Sequence, residues 1–352
     1  MRKILLVILV VVVVLAATAL AILTQTPKTF TENLTGRKIC TRPFTPQFND
    51  GPYYMGPFFD DHFHLPPPPV GPTQKMMGIP MPSLEKDVTI EQMLCHFDEE
   101  KTIGAIAFYT SSTFPFLPDV FYHNKKMINA VNLKQQAGNR LYLFLEPYGF
   151  NAAKVDSLLA ANPGVFDGIG ELALYTPGSL KPDDPSWMAI YAVADKYHIP
   201  VMFHPDMNEM QNVINVLKAF PNVKFMVHGY QLSSDIAGLD KLMADYPNVY
   251  YSIDSATLYS YRGGLVIDTE DQFVSDFKRD FTKNINEQLA IWKPLIEKYP
   301  TRFMWGTDRF IKWHYSEKIS RLFEEFARAF TGRLPKNLQE KYAYQNIEAL
   351  FN

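Results

Sequence analysis

The sequence predicts an α/β protein, a (β/α)8 barrel preceded by an N-terminal membrane segment and an extension. Three observations predict it. Five apolar runs break abruptly at a His, Glu or Asp: DDHFHL (Asp60 to Leu65), GIGEL (Gly168 to Leu172), VMFHPD (Val201 to Asp206), FMVHGY (Phe225 to Tyr230) and MWGTDRF (Met304 to Phe310). Buried parallel strands read this way when they end at a site. Three further apolar runs, Ile103 to Tyr109, Leu141 to Leu145 and Val249 to Ile253, complete a set of eight. The intervals between them suit strand–helix–strand steps, one step separating His204 from His228. In such a barrel all strand C-termini meet on one face, so residues far apart in sequence converge there.

The elements follow in order. Arg2 and Lys3 precede an uncharged apolar run from Ile4 to Leu23, and about 20 such residues suffice to span a bilayer. Residues 1–26 are read as a signal peptide or an N-terminal membrane anchor. Ala17, Ala19 and Ala21 permit cleavage, whereas the length of the run favours retention. Either way the barrel is expected outside the cytoplasm, on the periplasmic or secreted side. Residues 27–56 read as a linker and extension, and 57–352 as the barrel domain.

The two cysteines, Cys40 and Cys95, have no metal-type spacing. Outside the cytoplasm a disulfide is open to them, but pairing depends on geometry. Leu65 to Val88 is too proline-rich for a helix and reads as a long loop at the rim.

Thr89 with Gln92 forms a capping box. Asp184-Pro185 starts another helix, with the acid as cap and proline at the first position. Met210, Val213, Ile214 and Leu217 make an amphipathic stripe, closed by Pro221. Ser255 to Asp280 reads as a second long insertion, carrying Tyr259, Tyr261 and Arg262. A final helix, from about Pro335 to Phe351, is expected beneath the barrel.

Composition narrows the function. The 352 residues suit one large domain. Hydrophobic residues make up 47% and charged residues 20%, with a formal net charge of −3 and no Lys/Arg block. A nucleic-acid surface is therefore not indicated. The expected partner is a small-molecule substrate, with membrane contact only through residues 4–23 if that segment is retained.

The strand ends offer His62, His64, Glu171, His204, His228 and Asp308, a donor set that suits a borderline divalent ion such as zinc. His62 and His64 flank Phe63 and so share one strand face. A buried histidine alone is as readily a satisfied core residue; the shared position at strand ends favours ligation. Asp308 reads either as a helix cap or as a ligand that takes a proton from bound water. Glu171 either bridges two metals or orients a ligand, and Gly168 and Gly170 would let a backbone approach closely.

Glu146 ends the third strand and is a candidate substrate contact, with a barrel salt bridge as the plainer reading. Arg309 and Arg262 are candidate anion clamps. His96 and His123 fall on helices, His198 on the solvent side of a strand start. His314 lines the pocket or lies at the surface.

In that order, these strings resemble the amidohydrolase superfamily of metal-dependent hydrolases. Its pattern is HxH on strand one, Lys or Glu on strand four, His on strands five and six, and Asp on strand eight. His62 and His64, Glu171, His204, His228 and Asp308 match it. The HGY and GTD contexts and the closing KYAYQNIEALF (Lys341 to Phe351) resemble the amidohydrolase-related branch, which holds aminocarboxymuconate-semialdehyde-type decarboxylases and lactone or ester hydrolases. The resemblance runs from about Phe58 to Phe351.

It implies hydrolysis of an ester, lactone or amide bond by metal-activated water. His62, His64, His204 and Asp308 would hold one ion, with a second ion as the alternative. Asp308 and His228 would be catalytic, the latter freed to polarise a substrate carbonyl, and Arg309 implies an anionic substrate. Non-oxidative decarboxylation at the same site is the main alternative. A TatD-like nuclease and a non-enzymatic anchored binding module are less favoured.

Overall fold

A computed structural model describes residues 39–48, 51–65, 75–76, 79–80, 89–108, 120–147, 151–174, 180–205, 209–229, 235–254, 269–309 and 312–351. They belong to one compact unit, Lys38–Asn352. The apolar run from Ile4 to Leu23, much of the proline-rich loop and Arg262 lie outside the described residues. No described helix is long and apolar enough to cross a membrane.

Among the described residues eight barrel strands alternate with eight principal helices, and a two-stranded pair, Lys75–Met76 and Ile79–Pro80, lies between the first strand and the first helix. The strands are β1 (Phe58–His64), β2 (Thr102–Phe108), β3 (Leu141–Leu145), β4 (Phe166–Ala173), β5 (Val201–His204), β6 (Phe225–Val227), β7 (Val249–Asp254) and β8 (Phe303–Gly306). Each is followed by a helix: α1 (Ile90–Glu100), α2 (Val120–Ala137), α3 (Ala152–Ala161), α4 (Pro185–Tyr197), α5 (Met210–Ala219), α6 (Ile236–Asp245), α7 (Glu270–Lys298) and α8 (Glu317–Gly332). All neighbouring strands pair in parallel, in sequence order from β1 to β8.

The seam between β8 and β1 is closed locally. Asp308 N–H donates to the His62 carbonyl at 2.8 Å, and Phe63 and Arg309 form a parallel bridge. The Asp60 carboxylate accepts from Thr307 N at 2.9 Å and Thr307 Oγ1 at 2.6 Å. The sheet is thus the (β/α)8 barrel expected from the strand pattern.

The lower barrel is filled by Phe59, Ile106, Phe108, Phe144, Met202, Met226 and Met304, with Ile347 and Leu350 beneath. The last two come from the closing segment, which runs as a helix (Lys336–Glu340), a π-helical turn (Lys341–Gln345) and a final turn (Asn346–Glu348). The plug is therefore an interrupted helix, and it seals the end of the barrel opposite the strand C-termini.

The helix caps follow their sequence signals. Thr89 and Gln92 exchange both capping-box bonds, and Asp184 caps α4 ahead of Pro185. The second insertion is shorter than expected. Thr269 accepts from Gln272 N and starts α7, so Glu270 to Asp280 is helix. Phe273, Phe277 and Phe281 pack one face of α7 against Ile319, Leu322, Phe323 and Phe326 of α8.

The N-terminal extension is pinned to α1 and α8. Cys40 and Cys95 form a disulfide. Arg42 Nη2 donates to Glu324 Oε2 at 2.7 Å, and Glu325 accepts from the backbone of Gln47 and Phe48. We expect Cys40→Ser, or reductant, to cost about 2–4 kcal/mol by releasing the loop it closes. Thermal unfolding with and without reductant checks this; an unchanged midpoint would show that the strap needs no covalent tie.

Candidate metal centre

All six sequence-chosen strand-end residues converge at the C-terminal face. His62, His64, Glu171, His204, His228 and Asp308 are each buried. The route there is period-two alternation: Met202 and Met226 face the barrel core, so His204 and His228, two residues on, face it too. In β1 the register with β2 slips between Asp60 and Phe63, a bulge that lets consecutive residues point inward. Asp61 reaches Ser252 Oγ at 2.6 Å, while the His62 ring packs against Phe108 and His228. Gly168 and Gly170 give room to neighbouring strands rather than to the centre. A Cβ on Gly168 would meet the Phe144 ring at 2.5 Å, and one on Gly170 the Met202 carbonyl, also at 2.5 Å.

The donors fall into two groups that share Glu171. In the first, His62 Nε2 and His64 Nε2 are 3.1 Å apart. Asp308 Oδ1 lies 2.8 Å from His64 Nε2 and 3.3 Å from His62 Nε2. Glu171 Oε2 stands 3.8 Å from His64 Nε2. In the second, Glu171 Oε1 lies 3.0 Å from His228 Nε2 and 3.4 Å from His204 Nδ1.

A tetrahedral ion with bonds of about 2.0–2.1 Å separates its donors by roughly 3.4 Å. The observed spacings are close to that. His228 Nε2 is buried and lies 3.0 Å from Glu171 Oε1. Four imidazoles and two carboxylates gathered this tightly fit a divalent cation.

The electrostatics follow from burial and crowding. Burial disfavours the charged form of His228, but Glu171 and Asp254 on its two sides reverse this and lift its pKa to about 10. Burial raises Asp308 to about 7, with Asp254 and Glu171 adding repulsion that His62 only partly offsets. Burial also opposes the Glu171 charge, yet His228, His204 and His64 together hold it well below the usual carboxylate range. Burial lowers His64 to about 4, so it is neutral and able to ligate.

The arrangement differs from the sequence expectation in several places. His204 groups with Glu171 and His228, not with the His62–His64 pair, and Glu171 stands between the two groups. His228 is therefore placed among the donors rather than free beside them. Arg309 is not at the mouth. Its Nη2 donates to Glu100 Oε1 at 2.7 Å, its Nη1 to Ser320 Oγ at 3.2 Å, and its guanidinium lies over Phe323. That buried network behind the barrel wall occupies the cation that was expected to clamp substrate.

His314 is fully buried against Phe273 and Phe323, with burial lowering its pKa to about 3; it is not a surface residue. His198 is exposed, as expected, and it also caps α4. Glu146 is buried directly after β3, at the same end of the barrel.

Sequence reasoning missed Asp254. It ends β7, and its carboxylate lies 3.3 Å from His62 Nδ1 and 3.2 Å from His228 Nδ1. The signal was there: VYYSID is another apolar strand that ends in an acid.

Ligation needs Asp308 and His228 unprotonated. With His228 near 10 and Asp308 near 7 before loading, zinc uptake should expel protons, more at pH 6 than at pH 8. Affinity should therefore rise from pH 6 to pH 8. Calorimetric titration in buffers of different ionisation enthalpy measures both; pH-independent uptake would contradict this protonation scheme.

Comparison with known proteins agrees with the geometry. The family model described as Amidohydrolase matches residues 160–352. No curated protein matches the chain. Among solved structures, a probable 2-pyrone-4,6-dicarboxylic acid hydrolase from Acinetobacter baumannii with citric acid bound is similar at 17% identity and a TM-score of 0.54, covering 84% of this chain and 98% of that one. 2,6-Dihydroxybenzoate decarboxylase from Rhizobium is similar at 12% identity and a TM-score of 0.53, covering 84% and 99%. An amidohydrolase from Burkholderia multivorans with bound zinc gives 11% identity and a TM-score of 0.56, covering 84% and 99%. At such identities the structural likeness is one of fold. The sequence match over more than half the chain shows the lineage: this chain belongs to the amidohydrolase family.

Proposed function

We propose that the protein is a metal-dependent hydrolase of a small organic substrate, cleaving an ester, lactone or amide bond. The observation that carries this reading is Glu171, whose two oxygens face separate donor groups in a buried, carboxylate- and imidazole-lined barrel end. His62, His64, Asp308 and Glu171 would hold one ion, and Glu171, His204 and His228 a second. Zinc is the favoured metal, supported by the nitrogen-rich donors and by the zinc in the Burkholderia relative.

Such ions supply Lewis acidity and lower the pKa of a coordinated water toward neutrality. Asp308 would be the base, its buried carboxylate taking a proton and returning it to the leaving group. Glu171 stays ionised and balances the cationic charge on both sides. His228 serves as a ligand first, and Glu146 is proposed to meet substrate.

Small carboxylates are the first class to screen, because the relatives named above are a dicarboxylic acid hydrolase and a dihydroxybenzoate decarboxylase. Decarboxylation at the same site is the second reading. It requires a cation to hold the departing carboxylate, and Arg309, on which that reading relied, is committed to Glu100 and Ser320. We also propose that the barrel works outside the cytoplasm. The run from Ile4 to Leu23 and the Cys40–Cys95 disulfide both support an oxidising compartment.

Turnover in 18O-water separates the two reactions. Hydrolysis places solvent oxygen in the product carboxylate, whereas decarboxylation releases carbon dioxide and leaves the product unlabelled. We expect labelled carboxylate from wild-type protein and a kcat about 10²–10⁴-fold lower for Asp308→Asn. Carbon dioxide release without label would overturn the hydrolase assignment.

A further inference from the structure

We propose that Asp254 is a positioning residue that fixes the proton on two metal-ligand imidazoles at once, one in each donor group. The proposal rests on the metal-centre reading above. Asp254 is buried at the end of β7. Its Oδ2 is hydrogen-bonded to His228 Nδ1 at 3.2 Å, and its Oδ1 lies 3.3 Å from His62 Nδ1. That His62 nitrogen has no other hydrogen-bond partner, since the ring's Nε2 already faces His64 and Asp308. The two rings stand at 90° with centroids 4.1 Å apart, so both Nδ1 edges converge on a single carboxylate.

An ionised carboxylate only accepts. Both imidazoles must therefore carry their proton on Nδ1, which leaves a lone pair on each Nε2. Those two Nε2 atoms face different groups: His62 toward His64 and Asp308, His228 toward Glu171 and His204. One buried acid thus selects the ligating tautomer on both sides of the centre and ties their orientations together. Ser252 Oγ, 2.7 Å from Asp254 Oδ1, holds the carboxylate in place, and Asp61 supports Ser252 from the other side at 2.6 Å.

Asparagine at this position tests the idea, because it has the same shape but one acceptor and one donor. The amide NH2 would face one imidazole, push that ring's proton to Nε2 and remove it as a ligand. We expect 15N-histidine NMR of zinc-loaded wild-type protein to show His62 and His228 each with a protonated Nδ1 and a metal-bound Nε2. In Asp254→Asn one of the two should lose its metal-bound signal, and zinc affinity in one site should fall about 10–100-fold.

A wild-type protein that takes up no zinc would overturn the metal-centre reading itself. Zinc uptake in wild type, with unchanged affinity and proton positions in Asp254→Asn, would overturn the role of Asp254 alone. So would zinc on either Nδ1, which would make Asp254 a ligand. If Asp254→Asn does not fold, the wild-type spectrum decides: protonated Nδ1 on both rings supports the proposal, and any other pattern overturns it.

Discussion

The centre depends on closure of the barrel at one seam. His62 and His64 ride on the first strand, and Asp308 follows the last. They meet only because Asp308 N–H donates to the His62 carbonyl and Asp60 gathers Thr307 and the His62 amide into one carboxylate. Asp308 takes a backbone φ of +47° there, a conformation that side chains other than glycine adopt only when their surroundings hold it. Arg309 is part of what holds it. Its side chain reaches Glu100 at the end of α1 and Ser320 in α8, and Tyr315 Oη lies 2.8 Å from its carbonyl. The seam joins the first and last units of the barrel to the donor that sits between them.

Much of this was legible in the chain. Abrupt strand ends located His62, His64, Glu171, His204, His228 and Asp308, though the same signal at Asp254 was passed over, and the two-residue step from a core methionine to a histidine in β5 and β6 is a periodicity that sequence carries directly. Side-chain direction explains the miss at Arg309. The strand ends at Gly306 and Asp308 takes a positive φ, so strand alternation does not carry through to Arg309, whose side chain runs to Glu100 and Ser320. Which donors pair was not legible. That depends on strand stagger and on the bulge in β1, where the slip after Asp60 brings Asp61 and His62 inward together. Alternation alone would put only one of them inside.

The long helix α7 was hidden for a different reason. Its stripe of Phe273, Phe277 and Phe281 has plain helical spacing, but the stretch was read together with the tyrosine- and glycine-containing segment before it. Helix α8 matters for more than packing. Its Glu324 and Glu325 tie down the N-terminal extension, its Ser320 holds Arg309, and Arg328 Nη2 donates to the Glu100 carbonyl at 2.8 Å. The disulfided extension and the metal-centre seam therefore share one support.

The central claim is that Glu171 stands between two ions in this buried centre. Anomalous diffraction at the zinc edge from zinc-loaded crystals tests it most directly. The account predicts two peaks, one among His62, His64 and Asp308 and one beside His204 and His228, each within bonding distance of a Glu171 oxygen. A single peak ligated by His62, His64, His204 and Asp308, with Glu171 and His228 unbound, would contradict it.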